Sequence, residues 1–425
     1  MIRRVWYLAQ MLRNERLAPR LLAARQDRLV RELIGHSVDQ VPFYRDLYAG
    51  IDASSIRGGA DLVRLPIIDK SHLRAAGASW RSASAQEPLV RIRTSGSTGM
   101  PLRFEIDPVY NQWRKAQYLR PYVSNGRRLT EPVMRLRSLS LASPNRPLFK
   151  RLGLLPELLV DLAADPEEVR RAWQLYRPRI LQGYPSALRV LAQTYLERNR
   201  ALEPAPRLVF TDSELLLPET RELLERAFHA PVIDVFGTFE TDNIAYQCGR
   251  RAGYHVTPDS VIIEIVRDGV RVGSGEIGEL VVTVLRNRTT PFIRYNLHDL
   301  AAWATEPCGC GRTSPLLEVF AGRANDLLTY PDGRELTPMG ICALFSERAH
   351  LLRQYQMRQT GPAQFDLLIV PTAAFTATEG ELLLRELGEK LGPVRIDIRL
   401  TDRIAADPSG KLRAFIREPF EANDA

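Results

Sequence analysis

Cysteine is scarce in this sequence, with four among 425 residues. So few cysteines suit a reducing cytoplasm better than a disulfide-bonded protein. No stretch approaches the ~18 consecutive apolar residues of a membrane-spanning helix. Internal repeats, low-complexity tracts and the Gly-Lys-Ser/Thr ending of a Walker P-loop are also missing. These absences argue against an integral membrane protein, a repeat protein and an ordinary P-loop nucleotidase.

The composition is that of a globular chain, with 45% hydrophobic and 25% charged residues. A chain of 425 residues is expected to form two or three structural units. The net charge is +8, from 58 basic and 50 acidic residues. The excess is mostly arginine spread along the chain, which favours anionic ligands and, weakly, a membrane surface. Because no nucleic-acid motif accompanies it, we predict no nucleic-acid partner.

The first segment starts Met1-Ile2-Arg3-Arg4 and continues with a short apolar run. Gln10 and Arg13 interrupt that run, and no small-residue cleavage site follows, so we predict no export signal. Apolar residues at Val5, Leu8 and Leu12 share one helical face, which predicts a surface helix packed on its own domain more than a membrane anchor. We therefore predict a cytoplasmic protein. A monomer and a homodimer both remain open.

The segment 94–101, Thr-Ser-Gly-Ser-Thr-Gly-Met-Pro, holds three hydroxyls and two glycines between its first and last residues, after a strand-like Val90-Arg91-Ile92-Arg93. Glycines let the backbone approach a ligand, so that N–H groups and hydroxyls together can bind an anion. Two interpretations are open from these residues alone, a phosphate-binding loop and a polar hairpin turn.

Hydrophobic periodicity predicts an α/β fold. Strands are expected at 181–184, 207–211 and 232–236, with a helix at 218–228 that begins on a proline. Strands at 261–266 and 279–284 then predict a β-rich region, with a turn at Asp268-Gly269. A β-α-β unit follows, formed by 365–370, 379–391 and 394–400.

Two further segments carry groups suited to a nucleotide. Phe236-Gly237-Thr238-Phe239-Glu240 ends a strand with an aromatic ring and then an acid, which could stack on a base and hold a divalent cation. Asp299 follows a predicted strand, Pro291 to Tyr295, and could accept both hydroxyls of a ribose. A plain turn and a solvated acid are the alternative interpretations.

These segments, together with Gly322-Arg323 and Pro408-Ser409-Gly410-Lys411, resemble the ordered motifs of the adenylate-forming superfamily: acyl-coenzyme A ligases, luciferases and nonribosomal adenylation domains. The chain looks most similar to the phenylacetate-coenzyme A ligase branch and its short relatives in polysaccharide and secondary-metabolite clusters. Motifs shared with that branch are Val41-Pro42-Phe43-Tyr44, residues 65–70, Gln182-Gly183-Tyr184-Pro185-Ser186 and residues 330–334.

The resemblance implies a large multi-sheet α/β N-terminal domain, 1–323, and a small α+β C-terminal lid, 324–425, with a hinge at Asn325 or Asp326. The implied activity is ATP-dependent activation of a carboxylic acid to an acyl-adenylate, with Mg²⁺, followed by transfer to coenzyme A. Transfer to an amine, transfer of AMP itself to a hydroxyl, and a catalytically silent nucleotide-binding scaffold remain alternatives. The small-molecule partner is a carboxylic acid.

The resemblance also implies residue roles. Lys411, Glu240 and Thr98 would be catalytic, with Glu240 binding Mg²⁺ and Lys411 reaching the α-phosphate. The nucleotide-binding residues would be Ser95, Gly96, Ser97, Thr98, Gly99, Ser213, Glu214, Phe236, Gly237, Thr238, Asp299 and Arg323. The acid pocket would include Tyr184, Pro185, Phe210 and Phe239, which suits an aromatic acid; a short acyl, amino or sugar acid stays open.

The chain departs from the superfamily pattern at three places. Leu102-Arg103 stands where a lysine is common after the loop proline, and Phe239 stands where Ser or Thr often precedes the acid. Asn296-Leu297-His298 replaces the usual Arg-Thr-Gly before Asp299.

Three of the four cysteines cluster with a histidine: Cys248, His255, Cys308 and Cys310. Sulfur and imidazole ligands in this pattern predict a tetrahedral structural zinc site, and the phenylacetate-ligase branch shares the set. Free buried thiols are the alternative. Cys342 is left over and is predicted to lie in the core.

Overall fold

The structure is a computed structural model, and it describes residues 2–94, 101–138, 153–323, 327–329, 335–336, 339–407 and 411–418. The helices described are α1 (Ile2–Asn14), α2 (Pro19–Gln40), α3 (Pro42–Leu47), α4 (Lys70–Ala76), α5 (Pro108–Ser124), α6 (Pro166–Tyr176), α7 (Pro185–Glu197), α8 (Pro218–Phe228), α9 (Met339–Glu347) and α10 (Ala377–Leu391). Short 3₁₀ turns occupy Ala53–Ser55, Gly59–Arg64 and Gly77–Trp80. Within the described residues, no helix combines the length and apolar character that crossing a membrane requires.

The strands described are β1 (Val90–Arg93), β2 (Arg103–Ile106), β3 (Val133–Leu136), β4 (Glu157–Val160), β5 (Ile180–Gly183), β6 (Leu208–Asp212), β7 (Val232–Thr238), β8 (Asp242–Gln247), β9 (Tyr254–Val256), β10 (Val261–Arg267), β11 (Val270–Arg271), β12 (Gly278–Val284), β13 (Tyr295–Trp303), β14 (Leu316–Arg323), β15 (Leu328–Thr329), β16 (Glu335–Leu336), β17 (Leu352–Gly361), β18 (Gln364–Pro371), β19 (Arg395–Leu400) and β20 (Phe415–Arg417).

Proline starts many of the helices. It occupies the first turn of α2, α3, α5, α6, α7 and α8, where its missing N–H costs nothing and its fixed φ fits the helix. Asp107 caps α5 by accepting hydrogen bonds from the N–H groups of Val109 and Tyr110, each at 2.8 Å. The predicted helix at 218–228 is confirmed with the same bounds.

The chain divides into two units, of which unit 1 contains residues 1–127 and 235–320. In unit 1, strands follow the order β11-β10-β12-β13-β14-β9-β8-β7, and β1 and β2 form a separate antiparallel pair. The pairs β10·β12, β12·β13, β8·β9 and β7·β8 are antiparallel. The β-rich region predicted from residue 260 onward is therefore confirmed.

Buried aromatic rings fill one part of unit 1. Phe292 contacts Trp80 and Phe104 edge to face, with ring centroids 4.9 and 5.2 Å apart. Phe292 also meets Tyr295 at 5.1 Å. The predicted strand 291–295 is wrong, because β13 begins only at Tyr295 and Phe292 serves as a core ring before it.

A buried ion network fills another part of unit 1. Arg120 is fully buried and donates to Glu15 at 2.9 Å and to Asp259 at 2.6 Å. Tyr246 and Ser124 also donate to Glu15. The network links α5 and β8 to the residue that follows α1, although these segments are far apart in sequence.

Helix α1 packs against α5, where the ring of Tyr7 meets that of Trp113 at 5.1 Å, and Leu8 and Met11 of α1 are buried. Of the predicted face, Leu8 is buried and Leu12 is partly exposed, whereas Val5 is 46% exposed, so the prediction that Val5 is packed is wrong.

Unit 2 contains residues 128–234 and 321–425. Its first sheet has the parallel strand order β6-β5-β3-β4. Parallel strands need crossover connections, which α6 supplies between β4 and β5 and α7 supplies between β5 and β6. Trp173, Tyr195 and Phe228 from the three helices α6, α7 and α8 pack with strand residues in one buried cluster.

The second sheet of unit 2 has the order β19-β18-β17-β20. Strands β17 and β18 are antiparallel, whereas β18·β19 and β17·β20 are parallel. Helix α10 joins β18 to β19, so the predicted C-terminal β-α-β unit is confirmed. Its core includes Phe345, Tyr355 and Cys342, which confirms the core position predicted for that cysteine.

Candidate functional site

The hydroxyl-rich segment joins two paired strands. β1 and β2 are antiparallel, with Arg93 opposite Arg103 at the end next to the segment. Thr94 extends the pairing, because its N–H donates to Leu102 O at 3.0 Å and its Oγ1 accepts from Leu102 N at 2.9 Å. Ser95, Gly96, Ser97, Thr98 and Gly99 themselves lie outside the described residues.

Glu240 sits in the turn between β7 and β8, and its side chain is 9% exposed. The hydroxyls of Thr238 and Thr241 lie 3.1 Å apart across this turn. From α5, Arg114 donates to Phe239 O at 2.9 Å and Gln117 donates to Thr241 O at 3.2 Å. Helix α5 thus fixes the backbone on both sides of Glu240.

The turn also requires glycine at position 237. A Cβ there would lie 2.3 Å from the backbone oxygen of Asp242 on the paired strand. Real Cβ atoms do not approach oxygen so closely, so any other residue would force β7 and β8 apart next to Glu240. Phe236 and Thr238 flank this glycine in β7, and both are partly exposed.

Tyr295 connects Glu240 to the aromatic cluster. Its hydroxyl lies 3.5 Å from Oε1 of Glu240, and burial raises the pKa of Tyr295 well above its usual range, so it remains a neutral donor. The carboxylate of Glu240 offers a hard oxygen ligand of the kind that Mg²⁺ prefers, and two threonine hydroxyls belong to the same turn. The donor set at Glu240 therefore fits a divalent cation.

Asp299 lies in a bulge of β13. Val281 pairs with Asn296 and Glu279 pairs with Leu300, so Leu280 alone faces Leu297, His298 and Asp299. His298 adopts φ of 56°, a left-handed conformation in which glycine, its usual counterpart in the motif, is favoured. The bulge explains how Asp299 can be displayed inside a strand.

His298 lies between two carboxylates. Its Nδ1 is 3.0 Å from Oε1 of Glu279, and its Nε2 is 3.5 Å from Oδ2 of Asp69. The hydrogen bond with Glu279 raises the pKa of His298, and the charge of Asp69 adds to the effect. In the sequence His298 stands out only as a departure from a motif, and no local pattern predicts these partners.

In unit 2, Glu214 gathers three donors. The N–H and Oγ of Ser186, at the start of α7, each donate to Glu214 at 2.9 Å. The N–H of Leu412 donates to Oε1 of Glu214 at 2.8 Å. Burial raises the pKa of Glu214 to about 7, although these hydrogen bonds and the charge of Lys411 oppose the shift.

Lys411 lies in the same place. Its Nζ is 6.0 Å from the ring centroid of Tyr184, a contact that favours a cation over an aromatic face. Asp407 fixes the local backbone, because its N–H donates to Lys411 O at 2.8 Å and its carboxylate accepts from Lys411 N at 3.0 Å. The structure thus brings Tyr184, Pro185, Glu214 and Lys411 together.

The neighbouring strand ends are also polar. Ser213 has φ of 71° and donates to Asp212 at 2.8 Å. Gln182 donates to the same carboxylate at 2.6 Å. Phe210 is completely buried within β6. This edge of the parallel sheet, where strands end and α7 begins, is where ligands bind in open α/β sheets.

Several other predicted residues lie outside the described part of the chain. These are Asn325 and Asp326 of the predicted hinge, residues 330–334, and Pro408, Ser409 and Gly410. Arg323 ends β14.

Cys248, His255, Cys308 and Cys310 converge in unit 1, with all four ligand atoms within 4.8 Å of one another. The Sγ atoms of Cys248 and Cys308 are 3.6 Å apart, and Cys310 Sγ is 3.3 Å from His255 Nε2. Three sulfurs and one imidazole nitrogen in this arrangement match a four-coordinate zinc site. The residues present fit the ion.

The surroundings of His255 and Cys310 set the pKa values of these two ligands. Burial lowers the pKa of His255 to about 4, so the ring is neutral at pH 7, the form that binds a metal. Ser314 Oγ lies 3.2 Å from Nδ1, which leaves Nε2 facing the sulfurs. Burial alone would raise the pKa of Cys310, but hydrogen bonds from Arg312 lower it. No pattern in the sequence predicts the part played by Arg312.

Most of the chain is similar to proteins named as coenzyme A ligases, although no family model matches it. The phenylacetate-coenzyme A ligase of Thermus thermophilus is 24% identical over 387 residues, which cover 89% of this chain and 86% of the relative. A crystal structure of 2-hydroxyisobutyryl-CoA ligase in the postadenylation state has a TM-score of 0.78 at 21% identity, covering 96% of this chain and 91% of that one.

The fold is that of the adenylate-forming coenzyme A ligases. The same ligase in its thioesterification state, with 2-HIB-AMP and CoA, gives a lower TM-score of 0.64 over the same share of each chain. The O-succinylbenzoate coenzyme A synthetase of Bacillus subtilis, in complex with ATP and magnesium, gives 0.55 at 16% identity, covering 76% of this chain and 68% of that one. The fold class and the resemblance predicted from the sequence are confirmed.

Proposed function

We propose that the protein is an AMP-forming acid ligase. A carboxylate oxygen of the substrate attacks the α-phosphorus of ATP, the bond to the bridging oxygen breaks, and pyrophosphate leaves. The resulting acyl-adenylate is then attacked by the thiol of coenzyme A, which forms a thioester and releases AMP and a proton. The first step converts a poor acylating agent into a better one, the second transfers the acyl group to the thiol, and neither needs an oxidant or reductant.

The position of Lys411 carries this proposal. Negative charge develops around the α-phosphate during the first step, and a fixed cation at that point stabilises it. Lys411 lies at the polar edge of the parallel sheet, over Tyr184, while the adjoining Leu412 N–H is bound by Glu214. This is the edge at which an open α/β sheet receives its ligand.

The remaining nucleotide contacts are proposed from the motif positions. Ser95, Gly96, Ser97, Thr98 and Gly99 would hold the β- and γ-phosphates, and Arg323 would support Asp299 at the ribose. Phe236, Gly237 and Thr238 would flank adenine, with Ser213 and Glu214 lining the cleft. Glu240 would hold Mg²⁺, which supplies charge neutralisation at the phosphates.

We further propose domains at 1–323 and 324–425, with the smaller one acting as a mobile lid. Buried polar contacts hold β17 against α7 and α8: Glu219 accepts from Tyr355 at 2.8 Å, and Arg189 donates to Leu352 O at 2.8 Å. A rotating lid has to break these contacts and to release Leu412 from Glu214. Lys411 would leave the cleft in the same movement.

The proposed acid is aromatic or otherwise planar. Tyr184, at the start of α7, is 5% exposed and lies next to Lys411, so a ring in the substrate could stack there with its carboxylate toward the cation. Phe239, next to Glu240, is partly exposed. Short acyl, amino and sugar acids belong in the same test.

We also propose that Cys248, His255, Cys308 and Cys310 hold a structural zinc ion with no open coordination position. The ion would cross-link β8 and β9 to the 308–310 segment and supply stability, without taking part in the reaction. A cytoplasmic location stays a prediction.

A panel of carboxylic acids tests the proposal. Each acid is incubated with ATP and magnesium, with and without coenzyme A, and pyrophosphate, AMP and thioester are measured. We expect one class of acids to release pyrophosphate, and coenzyme A to convert the product to a thioester. Pyrophosphate release with no thioester would instead favour an amide ligase or adenylyltransferase.

Two variants complete the panel. Lys411→Ala should lower pyrophosphate release by at least about a hundredfold, since it removes the cation from the transition state. Lys390→Ala, an exposed lysine on α10, is the matched control and should keep full activity.

A further inference from the structure

Helix α1 has an uncovered apolar side. Ile2, Val5 and Trp6 are 89%, 46% and 59% exposed, although their residue types favour burial. Residues three and four apart share one side of a helix, so the three form a single stripe, which we call the outer stripe. Leu8 and Met11 of the same helix are buried, so the exposed apolar surface is confined to the outer stripe and its flanks.

The surroundings of the outer stripe are cationic. Residues 2–26 contain six arginines and one carboxylate, that of Glu15. Glu15 is 5% exposed and already paired with Arg120 and Arg312, so it cannot offset charge at the surface. Arg3 and Arg13 are exposed on α1 itself.

A neighbouring lysine adds to this charge. Lys115 of α5 is exposed, and its pKa is lowered first by partial burial and then by the charge of Arg4. Two like charges this close are disfavoured until an anion approaches them. Their proximity on the α1·α5 pair fits a partner that carries negative charge.

We propose that the outer stripe and its arginines dock on the surface of an anionic lipid bilayer. A helix with exposed apolar side chains beside arginines lies in the interface, with the apolar side chains among the acyl chains and the cations at the headgroups. Tryptophan is favoured at that depth because its ring is apolar and its N–H remains hydrated. The docking is peripheral and reversible.

The observations favour this partner over two others. A second copy of the chain would bring the arginines of two α1 helices together, and like charges disfavour such an interface. A nucleic acid would satisfy the arginines but offers no hydrocarbon for Ile2, Val5 and Trp6. Of these three partners, only an anionic bilayer satisfies both the apolar side chains and the cationic side chains.

Vesicle co-sedimentation of the full chain tests the proposal. Vesicles of phosphatidylcholine with about 30 mol% phosphatidylglycerol are compared with phosphatidylcholine alone. We expect binding to the anionic vesicles that weakens by about tenfold or more in roughly 0.5 M salt, because salt screens the arginines. The variant with Ile2→Gln and Trp6→Gln should lose about tenfold or more of the binding.

Matched controls separate the stripe from general effects. Leu175 of α6 is 89% exposed, the same fraction as Ile2, and Leu175→Gln should bind as the wild type does. A second variant, with Arg3→Gln and Arg13→Gln, should lower binding to anionic vesicles while keeping the outer stripe. Unchanged melting temperatures in these variants would establish that each is folded.

Four results would overturn the proposal. Three come from the vesicles: no binding to anionic vesicles, equal binding to both vesicle types, or binding that the Ile2 and Trp6 changes leave intact. The fourth is a dimer or a nucleic-acid complex, seen by sedimentation velocity, that the same variant abolishes. Because none of these readouts involves catalysis, failure here leaves the proposed acid ligase activity unaffected.

Discussion

Replacement of Cys308 by serine should remove zinc from the protein. Zn–S bonds are about 2.3 Å long and Zn–N bonds about 2.0–2.1 Å. Around one tetrahedral ion, two sulfur ligands are therefore about 3.8 Å apart, and a sulfur and a nitrogen ligand are about 3.5 Å apart. The structure has 3.6 Å between Cys248 and Cys308 and 3.3 Å between Cys310 and His255. These separations are within a few tenths of an ångström of the required edges.

The energetic consequence is a loss of stability. A metal that binds only the folded state stabilises it by about 4 kcal/mol when its free concentration is a thousand times the dissociation constant. A serine hydroxyl replaces a thiolate poorly as a zinc ligand, so most of that stabilisation should vanish in Cys308→Ser. Treating the wild type with a strong chelator should lower its melting temperature to about that of Cys308→Ser. The melting temperature of the variant should not change with the chelator.

Elemental analysis and thermal unfolding check this prediction together. We expect one zinc per wild-type chain and far less than one in Cys308→Ser. Cys342→Ala is the control, since Cys342 lies in the core of unit 2; it should keep its zinc and lose only the packing of a small buried side chain. One full equivalent of zinc in Cys308→Ser would refute the assignment, as would a wild type whose melting temperature ignores the chelator.

Three more substitutions test the site and its support. Arg120→Met should lower the free energy of unfolding by about 3–5 kcal/mol, because it leaves two buried carboxylates without their cation. Arg353→Ala, at an exposed ion pair, is the control and should cost under about 1 kcal/mol. Urea unfolding measures both. Glu214 has a pKa raised from 4.5 to about 7, so its protonated form favours folding below pH 4.5 and this contribution is lost as the pH rises through 7. In the wild type, the free energy of unfolding should therefore decline by about 2 kcal/mol between about pH 5 and pH 8. Glu214→Gln should remove this decline, and a variant that keeps the wild-type pH profile of stability would contradict the pKa shift. Gly237→Ala should lower adenylation activity by displacing the Glu240 turn, since its Cβ would meet a backbone oxygen at 2.3 Å, while Gly35→Ala, with open space in α2, should leave the rate unchanged in pyrophosphate assays.

Local features of the fold could be predicted from the sequence. The bounds of α8 follow from a starting proline and helical spacing of apolar residues, and the C-terminal β-α-β unit follows from a change of period. The convergence of Cys248, His255, Cys308 and Cys310 could be predicted because cysteine is rare and its clustering with histidine is informative. In each case a short stretch of chain, or a rare residue type, carries the signal.

Contacts between distant segments could not be predicted in this way. Glu214 and Leu412 are separated by 198 residues, and no local pattern indicates that the carboxylate binds that N–H. The Arg120 network is similar, since its carboxylates come from the residue after α1 and from the residues before β10. Strand order within each sheet also depends on such pairings.

Two local predictions were wrong for physical reasons. Val5 has the spacing of a packed residue, yet α5 covers only the Leu8 side of α1, so helical periodicity indicated a face without indicating what would cover it. Pro291 to Tyr295 has the composition of a strand, but Phe292 is used as an aromatic core residue. The bulge that displays Asp299 could not be predicted either, because the residue with the positive φ is His298 and no glycine marks the position.

Acid-dependent exchange of labelled pyrophosphate into ATP tests the central claim most directly, because it reports the first half-reaction without requiring the acceptor. The account predicts exchange with one class of carboxylic acids in the presence of magnesium, reduced by at least about a hundredfold in Lys411→Ala. Exchange that persists undiminished in Lys411→Ala, or no exchange with any acid across the panel, would contradict it.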